Sequence, residues 1–250
     1  MKKANKKVNA AIIIIGNEIL SGRTQDVNVA YLSNWFNELG VKVEEVRVIP
    51  DIESHIVKTI NELRKNFKYV FTTGGIGPTH DDITAKSVAK AFKVSYCYNK
   101  EAYRILESYY EPGKFNDGRK KMAKMPDKTS LIYNPSSGAP GFIIENVFCL
   151  PGVPLILKSM MDGLKNRIFG GKKILSKTIS VSTVESEIAK SLLYIQSKFK
   201  SIEIGSYPFF RMGKIGVSIV MRSTNKNKID DCSKKIISFI KKKKIKIINR

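Results

Sequence analysis

An uninterrupted apolar run, Ala10 to Ile15, opens a regular alternation of strand-like and helix-like stretches, and this alternation constrains the fold more than any other feature of the chain. Such a run suits a strand covered on both faces, as in a parallel sheet with helices above and below. Val27 to Leu39 follows with Ala30, Tyr31, Trp35, Phe36 and Leu39 at helical spacing and stops at Gly40, a helix-ending residue. Val41 to Ile49 alternates Val41 and Val43, then Val46 and Val48, which predicts a strand with a bulge or a register change. Ile52 to Asn66 reads as a helix, Tyr69 to Thr73 as a strand and Asp82 to Phe92 as a helix. Lys93 to Tyr98 predicts a short strand, Lys100 to Tyr110 a helix, and Lys114 to Met125 a second helical piece halted by Pro126. Leu131 to Tyr133, Phe142 to Ile144 and Val147 to Leu150 predict short strands. Pro154 starts a helix running to about Phe169, at a position where its missing N–H is harmless.

The order predicts a parallel or mixed sheet with helices on both faces, a three-layer arrangement whose ligands bind outside the carboxyl ends of the strands. Gly170-Gly171 marks a boundary, giving expected domains of 1–170 and 171–250. Past it the pattern becomes strand Ile174 to Ser182, helix Ser186 to Phe199, strands Ile202 to Tyr207 and Ile215 to Arg222, helix Lys228 to Ile240, and strand Ile245 to Ile248. That is the βαββαβ order of a ferredoxin-like unit, a smaller α/β appendage.

Composition excludes several classes. No apolar stretch approaches the 18 or so residues of a membrane-spanning helix. The basic start, Met1 to Lys7, has the look of a signal-peptide n-region, but the apolar run after it is short and ends in Gly16-Asn17-Glu18 without a cleavage site, so a cytoplasmic protein is expected. Cys97, Cys149 and Cys232 are scattered without C-x-x-C spacing, and His55 and His80 are the two histidines, which argues against a zinc or histidine-based metal cage. The net charge of +22 raises the question of nucleic acid, but 35 of the 44 basic residues are Lys and most are spread along the chain without a nucleic-acid-binding signature. A solvated face is the expected reading.

The chemistry concentrates in Thr72-Thr-Gly-Gly-Ile-Gly-Pro-Thr-His-Asp-Asp-Ile-Thr84, which follows a strand and opens a helix. Gly74, Gly75 and Gly77 let the backbone approach a ligand closely, and N–H groups at the positive end of a helix suit a phosphate. Asp81 and Asp82 add carboxylates that would hold Mg²⁺ or a similar hard cation, or orient water. The competing reading makes Thr79-x-x-Asp82 a capping box whose acids complement the helix dipole. Both stand at this level, and the two are compatible. The segment is neither a G-x-G-x-x-G nor a Walker A loop.

This segment resembles the signature of the MoaB/Mog molybdopterin-binding domain family, in the branch typified by the N-terminal domain of CinA. Three further stretches agree in order: Gly16-Asn-Glu-Ile-Leu-Ser-Gly22 followed by Asn28, Asn134-Pro-Ser-Ser-Gly-Ala-Pro-Gly-Phe142, and Leu150-Pro-Gly-Val-Pro154. Glu203-Ile-Gly-Ser-Tyr-Pro208 resembles the appendage of the same family, including relatives fused to FAD synthase. The resemblance implies that Gly74, Gly75, Gly77, Thr79, Asp81 and Asp82 line a phosphate and metal site. It implies that Glu18, Ser21 and Asn28 form the facing wall, and that Ser137, Ala139, Pro140 and Gly141 close the pocket. Asp26 is expected simply to cap the helix beginning at Val27, Asn28 and Gly141 also admit a surface and a turn reading, and Trp35 is expected in the core. His80, inside the loop, is either incidental or a donor to phosphate.

Two positions depart from the family pattern. Lys86 stands where many members carry Glu, and Leu155-Ile156 where many carry Glu-Met. Only 80 residues follow Gly170, too few for an amidase or FAD-synthase catalytic domain. The resemblance implies a homo-oligomer acting on a small nucleotide or pterin phosphate. The first reading is a nucleotide pyrophosphatase using Mg²⁺, Mn²⁺ or Co²⁺ on an ADP-ribose- or FAD-like substrate. The second is a protein that binds molybdopterin or a nucleotide without turnover, and the last is a nucleic-acid-binding protein.

Overall fold

The computed structural model describes residues 8–211 and 213–248, so the basic start, Met1 to Lys7, lies outside the described residues. The chain divides into two compact units, Met1–Gly171 and Lys172–Arg250. The first runs β1 (Asn9–Ile15), α1 (Asn17–Leu20), α2 (Asn28–Glu38), β2 (Lys42–Ile49), α3 (Glu53–Asn66), β3 (Tyr69–Thr73), α4 (Thr84–Phe92), β4 (Tyr96–Tyr98), α5 (Lys100–Tyr109), α6 (Asp117–Lys121), β5 (Lys124–Pro126), β6 (Ser130–Ile132), β7 (Gly141–Ile144), β8 (Val147–Leu150) and α7 (Pro154–Met161). Its main sheet has the order β2-β1-β3-β8-β7-β6, with β4 and β5 forming a separate two-stranded ribbon. β2, β1, β3 and β8 are parallel, and β7 and β6 continue the sheet antiparallel.

The apolar run of β1 explains the three layers. Ala11, Ile13 and Ile15 enter one core with Ile56, Ile60 and Leu63 of α3, Val88 of α4 and Leu106 of α5. Ala10, Ile12 and Ile14 enter a second core with Leu32 and Phe36 of α2 and Leu157, Met160 and Met161 of α7. Period-two alternation sends successive side chains to opposite faces, so a strand covered twice has no polar face to show. Phe71 anchors the second core between Phe36, edge-on at 4.8 Å, and Phe148, stacked at 4.6 Å. Truncating such a ring to Ala costs about 3–5 kcal/mol. The expected irregularity in β2 is a bulge at Glu44: Ala10 pairs with Val43, and the next residue, Ala11, with Glu45.

Three sequence expectations give way here. Lys114 to Met125 is not one helix: α6 covers Asp117–Lys121 under an Asn116 cap, and Met125 is a strand residue paired with Cys97. Burial of Met125 in the first core, at 1% exposure, selects the extended conformation. The helix expected from Asp82 starts at Thr84. The helix expected to reach Phe169 stops at Met161 and tightens into a 3-10 turn, Asp162–Arg167, which contains Gly163.

The second unit runs β9 (Leu175–Ser182), α8 (Glu185–Lys198), β10 (Glu203–Arg211), β11 (Lys214–Ser223), α9 (Lys226–Lys242) and β12 (Lys246–Ile248). Its strands lie in the order β10-β11-β9-β12, every neighbouring pair antiparallel. This is the expected ferredoxin-like arrangement. Ile188, Leu192 and Ile195 of α8 and Ile229, Cys232, Ile236 and Ile240 of α9 share one core with Ile179, Val181, Val217, Ile219 and Met221 of the sheet. Among the described residues no helix is long and apolar enough to cross a membrane.

Candidate functional site

The connection after β1 leads to α2 on one face of the sheet, and the connection after β3 leads to α4 on the other, so the chain leaves these adjacent parallel strands in opposite directions. Such a point opens a crevice at the carboxyl ends of the strands. The two backbones meet there so closely that a Cβ on Gly74 would lie 2.1 Å from the carbonyl oxygen of Ile15, and Gly74 holds φ +98°. No side chain fits, and L-residues avoid that φ.

The glycine-rich segment turns away from the sheet in a fixed shape. The Gly74 N–H donates to Leu150 O at 3.0 Å. Buried Thr84, the first residue of α4, donates its hydroxyl to Gly74 O at 3.0 Å and its N–H to Gly75 O at 2.9 Å. The loop carbonyls are thereby satisfied from the helix side. The N–H groups of Gly75, Ile76 and Gly77 have no acceptor among the described residues. Three successive unpaired donors at the end of a buried strand are an arrangement of the kind that suits an anion.

The outer arm, Pro78 to Asp82, is closed by its own side chains. Thr79 donates its N–H to Asp82 Oδ2 at 2.8 Å and its hydroxyl to the same oxygen at 2.5 Å. The capping-box pair is thus formed, but five residues ahead of the helix, where it closes a turn instead of capping α4. The Thr79 hydroxyl also influences Asp81: together with Asp81's own N–H, and with the positive field of His80 and Lys121, it holds that exposed carboxyl below the ordinary aspartate range.

Two loops complete the carboxyl end. Asn28, buried at the start of α2, donates Nδ2 to Gly152 O at 2.8 Å, while its Oδ1 has no partner among the described residues. Gly152, in the turn after β8, in turn packs on Gly74, where a Cβ would stand 3.4 Å from the Gly74 Cα. Asn28 is therefore a buried tie between the first loop and the Pro-Gly-Val-Pro turn, not a surface first-turn residue. Glu18, exposed on α1, folds its carboxylate over Gly16, where a Cβ would collide at 2.5 Å. Ser21 is exposed and donates its hydroxyl to Glu18 O at 3.2 Å. Asp26 accepts from Val29 N–H at 2.9 Å, the capping role expected of it.

The segment Asn134 to Gly141 reaches this end because β7 runs antiparallel to β8. Asn134 organises it: its Oδ1 accepts from the N–H groups of Ser136 and Ser137, and its Nδ2 donates to Ser137 Oγ at 2.7 Å and Ala139 O at 2.9 Å. Ser137 is thereby engaged within its own loop, Ala139 is half-buried, and Pro140 and Gly141 are buried. Gly141 does more than turn the chain: a Cβ there would meet Cys149 O at 2.4 Å. Burial pushes the thiol of Cys149 up to about 12, so it is an inert core group.

Sequence reasoning gave no role to Thr84, Asn134, Asp51 or Lys121. Thr84 and Asn134 lie inside the quoted motifs. Asp51, just past β2, accepts from Asn17 N–H at 2.8 Å and fixes the start of α1. Lys121 donates to Thr79 O from α6, a contact across 42 residues that no local pattern announces. Lys86, the departure from the family's Glu, is exposed on α4 and adds to the positive field on Glu53 of α3.

Among the described residues no group of three His, Cys, Asp or Glu could enclose a metal ion. Asp81 and Asp82 are a two-carboxylate set. That donor set fits a hard cation such as Mg²⁺, which keeps its waters and arrives with substrate phosphates, and does not fit an all-protein cage. A separate cavity of about 360 Å³ on α5, lined by Tyr98, Lys100, Tyr103, Arg104 and Glu107, includes none of these loop residues.

Residues 11–169 match the family described as probable molybdopterin binding domain, and residues 173–248 the family described as FAD synthase, middle domain. A protein of Archaeoglobus fulgidus is 33% identical over 197 residues, 79% of this chain and 84% of its own length. A probable FAD synthase of Caenorhabditis elegans is 29% identical over 229 residues, 81% of this chain but 44% of its own length. The crystal structure of the protein CinA with unknown function from Thermoplasma acidophilum matches with a TM-score of 0.61 at 31% identity, over 64% of this chain and 98% of that one.

Proposed function

Since the chain belongs to the molybdopterin-binding domain family, in its CinA-like branch, we propose that its carboxyl-end cleft hydrolyses a nucleotide diphosphate linkage of the ADP-ribose or FAD type, assisted by a divalent cation. The observation that carries this reading is the row of unpaired N–H groups at Gly75, Ile76 and Gly77, with the Asp82 carboxylate against Gly77 and Asp81 its neighbour in the chain. The backbone donors bind one phosphate and stabilise the charge that grows on its oxygens as water attacks phosphorus. Water adds to one phosphorus, the bond from that phosphorus to the bridging oxygen breaks, and ADP-ribose yields AMP and ribose phosphate. Asp81 and Asp82 would hold Mg²⁺, Mn²⁺ or Co²⁺, which supplies charge neutralisation of the two phosphates and a more acidic water. Asp81, held ionised by its surroundings, accepts a proton from, or orients, the attacking water. The resemblance to a probable FAD synthase supports a nucleotide-bearing substrate.

A second reading has an observation of its own. Both carboxylates interact with Thr79, which suits a cleft that binds molybdopterin or its adenylylated form without turnover. The test is a screen of ADP-ribose, FAD and related dinucleotides with Mg²⁺, Mn²⁺ and Co²⁺. Metal-dependent release of AMP supports hydrolysis. Tight binding with no product under any metal favours the second reading. Nucleic-acid binding ranks last, and its mark would be a steep fall of affinity with salt.

A further inference from the structure

We infer that Lys121 is the cation that takes the second phosphate of the ligand, a role that rests on the diphosphate reading above and names a residue outside all four loop motifs. The cradle of Gly75, Ile76 and Gly77 offers neutral donors for one phosphate. A diphosphate adds a second anionic group to an end of the sheet that already carries Glu18, Asp51, Asp81 and Asp82, so a fixed positive group there adds to the neutralisation a bound divalent cation would supply.

Helix α6 supplies one. It presses on the outer arm of the glycine loop at Gly118, where a Cβ would come within 3.3 Å of Pro78 O. Three cations follow in succession, and two are committed elsewhere. Arg119 lies over the Tyr110 ring at 4.1 Å and donates to Lys114 O. Lys120 pairs with Asp117 at 3.4 Å. Lys121 alone reaches the arm, through Thr79 O, two residues beyond the unpaired N–H of Gly77. An ammonium has three donors, so one bond to a carbonyl leaves two for phosphate oxygens. Its charge also acts on Asp81, so the ammonium that reaches Thr79 O is felt at the carboxylates as well.

The experiment is calorimetric titration of inorganic pyrophosphate and of AMP, with Mg²⁺ present, into the full chain and its Lys121→Ala, Lys121→Gln, Lys121→Arg and Lys120→Ala variants. Pyrophosphate affinity should fall at least tenfold in Lys121→Ala and in Lys121→Gln, recover most of the way in Lys121→Arg, and stay within about twofold in Lys120→Ala. AMP, with one phosphate, should lose no more than about threefold in any of them. Thermal unfolding of each variant identifies any that fails to fold. Lys121→Gln keeps a donor for Thr79 O without the charge, so wild-type pyrophosphate affinity in that variant would reduce Lys121 to a brace and overturn the inference. So would a wild-type chain that binds AMP but not pyrophosphate. A chain that binds pyrophosphate through Lys121 yet turns over no dinucleotide would leave this inference standing and remove the hydrolase reading.

Discussion

The two units differ in how a sheet disposes of its loops. In the first, β2, β1, β3 and β8 run parallel, so the connections after them all emerge at one end. Four segments remote in sequence therefore converge: the first loop, the glycine loop, the Pro-Gly-Val-Pro turn and, by the reversed direction of β7, Asn134 to Gly141. In the second, every neighbouring strand pair is antiparallel, so the connections after β9 and β10 leave at one end and that after β11 at the other, and fewer segments gather at either. Glycines record the contrast. Gly74 is wedged at φ +98° against Ile15 O, whereas Gly213 turns the β10–β11 hairpin at φ +73° with nothing within 4 Å of a Cβ. Charge records it too: residues 172–250 carry nineteen Lys and Arg against five Asp and Glu, a net +14 of the chain's +22.

The sharpest way to break the comparison is to add a methyl group on each side. Gly74→Ala should destabilise the chain by about 3 kcal/mol or more, through collision and forbidden φ together, and abolish ligand binding. Gly213→Ala should cost only the left-handed backbone penalty, about 1–2 kcal/mol. Denaturant unfolding of both variants decides it, and equal losses would mean that the Gly74 contact is relieved by local adjustment.

Asp82→Asn comes next. Asn still accepts the Thr79 bonds, and losing a cap-type bond costs about 1 kcal/mol. Turnover should nevertheless fall about a hundredfold, roughly 2.7 kcal/mol of barrier, with the melting temperature little changed and part of the loss recovered at high metal concentration. Full metal-dependent turnover in this variant would take Asp82 out of the chemistry, and the same result at Asp81 would favour plain binding.

A smaller effect is expected from Thr79→Val. Asp81 has a depressed folded-state pKa, so it stays ionised until the pH falls through that lowered value, and what its charge contributes is lost only there. The acid limb of a pH–rate profile should therefore lie below the usual aspartate range and move to higher pH once the Thr79 hydroxyl is removed. An unmoved limb would assign it to another group.

The smallest effect belongs to the basic tail of the second unit. Changing Lys241 to Lys244 to Gln should leave turnover within about twofold, as those residues lie outside every loop of the cleft. Lys243 donates to Glu187 O at 2.8 Å, so a slight loss of thermal stability is expected. A collapse of turnover in a folded variant would make the second unit a contributor to the reaction.

What the sequence by itself determined is everything written in short-range pattern. The run Ala10 to Ile15 dictates a strand buried on both faces, because seven successive residues from Asn9 leave no second polar position to expose. The βαββαβ order dictates the second unit's topology. Thr72 to Thr84 is legible as a tight glycine loop between a strand and a helix, since three glycines there have no side chains to keep the backbone from turning. Tertiary structure decided the rest. Met125 becomes a strand residue because Cys97 and the first core claim it, against local helical preference. Asn28 turns inward because Gly152, 124 residues away, offers the carbonyl its amide needs. Asp82 closes a turn rather than a helix because Thr84 ties the helix start to Gly74 and Gly75. Lys121 meets Thr79 only once α6 is seated on the arm. Each of these outcomes depends on a partner far along the chain, and a hydrogen bond or a packed contact between distant residues leaves no period in the sequence to read.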